Sequence, residues 1–207
     1  MQAKIPNGYR VAVLLWAIVL LSGCVMTTPV PDDHYYRLPP VAVTDRLPTP
    51  LFAGPLLLAP VRSSGILDER SLLYTTEAKP DELQRYYYRH WVDAPARMIH
   101  AQFSNWLEQR GVAATLLGNS RQQPAMARLD TTLLQFERLM AKDEIKVRVA
   151  LKLRLENLTS NSVLLAKTYH AEVVAADASV YQTVVAYSRA LGDIYSRWLR
   201  DVAGVLQ

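Results

Sequence analysis

Cys24 is the only cysteine of the chain, and its position indicates a specific covalent modification. It directly follows Leu21-Ser22-Gly23, and the apolar run Val11–Leu21 leads into it. This order is that of a lipobox, in which the chain is cleaved before the cysteine and the thiol receives diacylglycerol. The alternative is a signal anchor that contains an incidental cysteine. We predict a lipoprotein signal peptide at residues 1–23 and a lipid on Cys24.

The segments on either side of Cys24 predict where the rest of the chain lies. The apolar run is shorter than the roughly 20 residues that a membrane-spanning helix needs. Residues 24–33 are polar and contain proline, which predicts a lipidated tether, and residues 34–207 suit a single periplasmic domain. In enterobacteria-like systems an aspartate after the cysteine retains lipoproteins in the inner membrane. Because Val25 stands there instead, the sequence favours a lipid anchor in the outer membrane, on its periplasmic face.

The other reactive residue types show no pattern typical of catalysis or metal binding. The four histidines have no i, i+4 pair, and no nucleophile motif or phosphate-binding glycine loop occurs. The formal net charge of +4 is too small to indicate nucleic-acid binding. We expect no enzyme activity, no metal, no nucleic acid, and no cofactor beyond the diacylglycerol and N-acyl groups on Cys24.

Aromatic and basic side chains are concentrated in Arg85–Trp91, which makes this stretch the strongest candidate for an interaction surface. Such a mixture can stack nucleic-acid bases, lie at a membrane interface, bind a partner protein, or place alternate rings in the core. An extended chain turns successive side chains to opposite faces. We therefore predict that Tyr87 and Trp91 are buried. The predicted partner-binding residues are Tyr86, Tyr88 and Arg89.

A second candidate surface is one face of a predicted strand, Glu144–Glu156. Its apolar and charged residues alternate almost without fault, which predicts a buried face and a polar face that includes Arg148 and Lys152. Such a polar face is most often solvated, and the alternative is contact with anionic lipid or an acidic partner. Together with Leu129–Leu139 and Val163–Val174, this strand predicts a three-strand antiparallel meander.

Shorter strands and two helices complete the predicted elements. The further strands are His34–Leu38, Leu56–Val61, Ser71–Thr76, Gln84–Tyr88 and Val112–Leu117, with a loop at Val41–Pro55. Asp93 is expected to cap a helix that ends at Gly111 and buries Ile99, Phe103, Trp106 and Leu107. A longer helix starts near Ser179, and its apolar stripe runs from Val184 to Val205. We predict an α+β fold: an antiparallel sheet with a long C-terminal meander and two helices packed on one face.

The order of several short motifs resembles the family of ABC-type transport auxiliary lipoproteins, which includes the paraquat-inducible C lipoprotein. After Cys24, the motifs are His34–Pro39, Leu58–Val61, Leu67–Arg70, Leu72–Thr76 and Tyr88–Pro95. The similarity runs in order to about Gly111, and the C-terminal half matches in its layout of a meander followed by a long helix.

This resemblance implies a non-catalytic lipoprotein that works beside an ABC transporter and a periplasmic MCE-domain protein. Such systems move lipids or other hydrophobic molecules between the two membranes, and the lipoprotein would dock the periplasmic conduit at the outer membrane. A homo-oligomer is compatible with this role. The alternative class is a structural or assembly lipoprotein of the outer membrane, serving lipopolysaccharide or outer-membrane protein insertion, because the same anchor and α+β body would suit it.

Overall fold

Eight strands and two helices make up the part of the chain that the structure, a computed structural model, describes: residues 31–118 and 124–206. The strands are β1 (His34–Tyr36), β2 (Phe52–Leu58), β3 (Ser71–Thr76), β4 (Lys79–Trp91), β5 (Ala113–Leu117), β6 (Ala127–Met140), β7 (Ile145–Asn157) and β8 (Ser162–Val174). The helices are α1 (Pro95–Arg110) and α2 (Val180–Leu206), and a 3-10 turn spans Gly65–Asp68. Asp33–Gln207 forms a compact unit of its own. The predicted signal peptide, Cys24 and most of the predicted tether lie outside the described residues.

The sheet is built around β6. On one edge β6 pairs antiparallel with β7 along its whole length, and β7 pairs antiparallel with β8, which confirms the predicted meander. On the other edge β6 pairs in parallel with β2 near its start and with β3 near its end. Beyond these strands, β5 pairs in parallel with β2, and β4 pairs antiparallel with β3 and carries β1 on its outer edge. The α+β class is therefore confirmed, and the sheet is mixed where the sequence predicted antiparallel pairing.

The parallel half of the sheet is one interrupted stretch of chain. Leu56 lies opposite Ala127, Arg62 bridges to Thr132, and Tyr74 lies opposite Arg138. The chain thus follows β6 in the same direction from β2 to β3, leaving it only around the 3-10 turn. Local hydrophobic periodicity specifies that a segment is extended but not the direction of its neighbour, which is why the sequence did not show the parallel pairing.

One face of the sheet is apolar and is covered by both helices. The inward residues of β7, including Val149 and Leu151, are fully buried, as the alternating pattern predicts. The two helices meet through Phe103 and Tyr195, whose rings stack at 4.2 Å between centroids. Sheet, α1 and α2 share a single buried cluster, so the fold is held by packing across this layer.

Both helices follow their predicted apolar stripes, with two corrections at their ends. The predicted face of α1 is buried, and Gly111 ends the helix in the left-handed conformation at φ 67°. The N-cap is Ala94 rather than Asp93, because the Asp93 carboxylate accepts the Ala94 N–H at 2.8 Å and pairs with a side chain inside the helix. On α2, Val205 lies outside the buried stripe and is 47% exposed.

Strand β2 begins at Phe52, inside the segment predicted to be a loop. Its pairing with β5 shifts between Phe52 and Pro55, and this irregularity accommodates a residue that has no N–H to donate. The Pro55 carbonyl still accepts a hydrogen bond from Met126 N at 2.9 Å. The predicted loop is therefore shorter, and it ends where β2 begins, between β5 and β6 in the sheet.

Between β1 and β2 the chain crosses the two helices as an extended segment, Pro39–Leu47, which we call the strap. At its start, Ser188 Oγ of α2 donates to the Pro39 carbonyl at 3.0 Å, and Gln102 of α1 donates to the same oxygen. At its end, Leu47 N donates to the Arg110 carbonyl at 2.9 Å. The strap is thus fixed at both ends by the helix layer.

Candidate docking surface

The aromatic and basic stretch at the end of β4 leaves the regular ladder with β3. Ser71 pairs with His90 and Leu73 pairs with Arg85, so two steps along β3 correspond to five steps along β4. The three extra residues of β4 form an irregular bulge in the ladder, and such an interruption bends a strand and re-aims its side chains. The strict alternation that the sequence analysis assumed does not apply inside such a bulge.

The bulge changes which tyrosines are exposed. Tyr87 is 76% exposed, so the prediction that it lies in the core is wrong. Tyr88 is 41% exposed, as predicted, and Trp91 is buried at 1% exposure, which confirms its place in the core. Tyr86 was predicted to be exposed, but it is half-buried and packs against the core. Two consecutive rings, Tyr87 and Tyr88, therefore face solvent.

Tyr86 supports the surface from beneath. Its ring lies 4.6 Å from that of Tyr74, and the Arg89 guanidinium lies over it at 5.3 Å from the ring centroid. Its hydroxyl accepts a hydrogen bond of 2.9 Å from Arg138 Nη1. Arg89 is therefore oriented by a cation–π contact with a ring that is itself fixed.

Strand β1 adds a third exposed ring beside this stretch. The parallel pairing places His34 opposite Arg89 and Tyr35 opposite His90. Tyr35 is 55% exposed, and its ring centroid lies 5.5 Å from that of His90. The Arg70 guanidinium lies 5.6 Å from the Tyr35 ring. We call the set Tyr35, Arg70, Tyr87, Tyr88 and Arg89 the tyrosine–arginine surface.

Sequence reasoning missed Tyr35 and Arg70 as members of this surface. Neither lies in the Arg85–Trp91 stretch, and they reach it only through the pairing of β1 and β3 with β4. The sequence shows that the segment around Tyr35 is aromatic, but it does not show which residues of other strands lie beside it.

A buried cation lies behind the surface. Arg138 is only 4% exposed, and its Nη2 donates to the Ala178 carbonyl at 2.5 Å. Its Nε has no hydrogen-bond partner, and the described ranges place no carboxylate within ion-pair distance of it. A buried unpaired charge is unfavourable unless hydrogen bonds compensate for it, so the Tyr86 hydroxyl has a structural role here.

The second candidate surface, the outer face of the meander, is largely neutralised by its own ion pairs. Glu172 of β8 pairs with Arg148 at 3.1 Å and with Lys146 at 3.2 Å. Hydrogen bonds to Glu144 and Glu172 raise the pKa of Lys146. Lys152 is exposed and has no ion pair within the part of the chain that the structure describes. Compared with the tyrosine–arginine surface, the described residues of this face offer a partner less unpaired charge and no exposed aromatic ring.

The described residues contain no group of three or more histidine, cysteine, aspartate or glutamate side chains that could hold a metal ion. Within the same ranges, neither helix has the length and apolarity needed to cross a bilayer.

Comparison with known proteins identifies the family. Residues 36–197 match the family described as "ABC-type transport auxiliary lipoprotein component". The chain belongs to this family. The match covers β2 to β8, α1 and most of α2, and it confirms the resemblance that the sequence motifs indicate. No curated protein matches the chain.

Solved structures share the fold of this auxiliary lipoprotein. Protein XCC0632 of Xanthomonas campestris, described as a DUF330 protein, is 19% identical, with a TM-score of 0.69 over 80% of this chain and 92% of its own. An uncharacterized protein is 13% identical, with a TM-score of 0.64 over 83% of this chain and 99% of its own. At these identities the likeness shows the fold alone.

Proposed function

We propose that this auxiliary lipoprotein is a non-catalytic component of an ABC/MCE-type system that moves lipids or other hydrophobic molecules between two membranes. It docks the periplasmic MCE-domain protein at the outer membrane, to which it is attached by the diacylglycerol and N-acyl groups on Cys24. The family match and the lipobox support the transport role and the anchor.

The observation that carries the docking role is the tyrosine–arginine surface. Its tyrosine rings are exposed, whereas other tyrosines of this chain, such as Tyr187 and Tyr195, are buried in the core. Tyrosine and arginine dominate the energetically important residues of protein interfaces, whereas lysine usually stays at the rim. The fold does not need Tyr87 for its core, which leaves this side chain available to a partner.

The position of the surface along the chain suits a docking role. Ten residues separate Cys24 from Tyr35, so an extended tether spans at most about 36 Å. A partner bound at Tyr35 and its neighbours is therefore held within this distance of the lipid anchor. The same tether is too short to let the body move freely between two membranes.

Co-purification from cells tests the proposal. The double variant Tyr87→Ala/Tyr88→Ala should keep its fold and its lipid but lose the MCE-domain protein from the eluate. The matched control is Tyr181→Ala, which removes another exposed tyrosine, 67% exposed, from the start of α2. This control should retain the partner at wild-type yield.

Each other outcome has a defined meaning. A folded double variant that still recovers the MCE-domain protein rejects the tyrosine–arginine surface and directs attention to Arg148 and Lys152. Recovery of an outer-membrane β-barrel protein by the wild type, without an MCE-domain protein, would instead support a structural or assembly lipoprotein.

A further inference from the structure

Two cavities flank the strap where it crosses the helices. The first, of about 320 Å³, lies between Ala42–Asp45 of the strap and side chains of both helices, including Trp106 and Arg200. The second, of about 330 Å³, lies between Pro39–Ala42 and the Val185–Gly192 part of α2. Ala42 lines both cavities, so they adjoin along the strap. Each is at the lower end of the size range of ligand pockets, and together they fall within it.

The two cavities differ in chemistry. The first is cationic, because Arg110 and Arg200 line it, and Asp45 is the one carboxylate among its lining residues. Its apolar side is formed by Leu199 and by Trp106, which is 4% exposed. The second is lined mainly by apolar and small residues, with Arg189 as its charged member.

Several strap residues that line these cavities have backbone N–H groups without a partner in the described part of the chain. The fixed points of the strap are Pro39, Pro40, Asp45 and Leu47. Between them, the backbone of Val41–Thr44 makes no hydrogen bond to the residues that the structure describes. These N–H groups and the nearby guanidinium groups are the types of donor that bind anionic oxygen atoms.

The close approach of strap and helix depends on a glycine. A Cβ at position 192 would lie 2.9 Å from Val41 Cγ1, which is closer than side-chain carbons pack. A larger residue at this position would therefore occupy the second cavity or displace the strap.

We propose that the two cavities bind one anionic single-chain amphiphile, a fatty acid or a lysophospholipid. Its anionic head group lies in the first cavity, beside Arg110, Arg200 and the strap N–H groups, and its acyl chain lies in the second cavity along α2. This proposal rests on the proposed function in that it specifies the hydrophobic class of molecule handled by the transport system.

Fluorescence quenching of the purified, unlipidated body tests this site. Residues 33–207 suffice for the measurement, because they form one compact unit containing the whole buried cluster. Dibromostearate with its bromine atoms next to the carboxylate should quench tryptophan fluorescence saturably, since this end of the ligand lies in the first cavity beside Trp106. Brominated lysophosphatidylglycerol, as the second probe, decides which anionic head group binds more tightly. Trp106→Phe should lose most of the quenching, whereas persistent quenching in this variant would place the ligand elsewhere and overturn the proposal.

Two variants test the two ends of the ligand separately. Arg200→Gln should weaken dibromostearate binding about tenfold, because it removes a charge-assisted contact, and should leave the binding of neutral dibromostearyl alcohol unchanged. Gly192→Leu should weaken the binding of both probes, because it fills the chain cavity. Arg62→Gln, which removes an exposed cation elsewhere, should bind both probes as the wild type does. Equal affinity of Arg200→Gln and wild type for dibromostearate would overturn the head-group assignment.

This result is independent of the docking test. A protein that recovers its MCE-domain partner but shows no saturable quenching overturns the amphiphile site alone. A protein that binds the amphiphile but recovers no MCE-domain protein overturns the proposed docking function alone.

Discussion

Arg138 in the core donates a hydrogen bond of 2.9 Å from Nη1 to the hydroxyl oxygen of Tyr86, at the inner side of the tyrosine–arginine surface. The Arg89 guanidinium lies over the ring of the same tyrosine, 5.3 Å from its centroid. Tyr86 thus accepts a hydrogen bond from the buried Arg138 and orients the half-buried Arg89. The stability of the core and the geometry of the docking surface are therefore coupled through Tyr86.

Removal of the Tyr86 hydroxyl should destabilise the fold. In Tyr86→Phe the ring remains, but Arg138 Nη1 loses its partner, which should lower the free energy of unfolding by about 1–3 kcal/mol. Urea unfolding followed by circular dichroism measures this change. Tyr87→Phe, which alters an exposed hydroxyl, is the matched control and should unfold as the wild type does. Identical unfolding of both variants would mean that the hydrogen bond contributes nothing.

Truncation of two nearby aromatic residues, Tyr87 and Trp91, should affect the stability of the fold very differently. Tyr87→Ala should change the free energy of unfolding by no more than about 0.5 kcal/mol, because the side chain is 76% exposed. Trp91→Ala, only four positions away, should cost about 3–5 kcal/mol, because Trp91 is buried at 1% exposure. Thermal melts of the two variants measure these losses of stability. A large loss in Tyr87→Ala would mean that Tyr87 is buried, as the strict alternation predicted from sequence requires.

The two faces of β7 should respond differently to a new carboxylate. Val149 is fully buried, so Val149→Asp should lower the free energy of unfolding by about 3 kcal/mol or more. Lys152 points to solvent from the same strand, and Lys152→Asp should leave the melting temperature nearly unchanged. Similar melting temperatures for the two variants would contradict the observed register.

Acid should weaken one interaction at the start of α1. Hydrogen bonds from Arg97 and from the Ala94 N–H lower the pKa of Asp93 from 3.8 to about 2. Because the carboxylate is favoured in the folded state, its contribution to stability is present above its ordinary pKa and is lost as the pH falls towards 2.

Unfolding of Asp93→Asn by urea between about pH 5 and pH 2 tests this contribution. The variant should lose less stability across this interval than the wild type does. Asp81→Asn is the control, because Asp81 is exposed and makes no hydrogen bond to the described part of the chain. A wild type and an Asp93→Asn variant with parallel pH profiles would show that the interaction does not contribute.

The lipid anchor has a direct chemical test. Cys24→Ser should abolish incorporation of a labelled fatty acid, because no other cysteine is available to carry the diacylglycerol. The label should appear on the wild type and fractionate with membranes. A Cys24→Ser protein that still takes up the label would refute the lipobox assignment.

The elements that the sequence predicted best are those in which buried residues recur at one regular spacing along the chain. The alternation along β7 and the apolar stripe of α1 each arise from one buried face, so they are visible without any knowledge of neighbouring elements. The parallel pairing of β2 and β3 with β6 was not visible, because it depends on contacts distant in the sequence. Helix capping by Ala94 was missed because Asp93, with the better side chain, uses its carboxylate elsewhere.

The composition of the sequence located the candidate surface correctly, but the orientation of its side chains was predicted wrongly. The density of tyrosine and arginine in Arg85–Trp91 located the correct segment. The bulge between the Arg85 and His90 pairings then reversed the expected orientation of Tyr87. A bulge is a property of two strands together, so a single strand sequence does not disclose it.

The parallel pairing on β6 has a consequence for the order in which the chain can fold. β3 pairs with β4 and β2 pairs with β5, but these two parts of the sheet are joined only through β6, so the first half of the sheet stays divided until residues 127–140 are available. The meander needs only neighbouring segments, and hairpins between adjacent strands form faster than distant parallel pairings. As the chain is delivered from its N-terminus, the β3–β4 hairpin and the β2–β5 pair therefore stay unconnected in the sheet until β6 arrives, whereas the meander forms without any earlier strand.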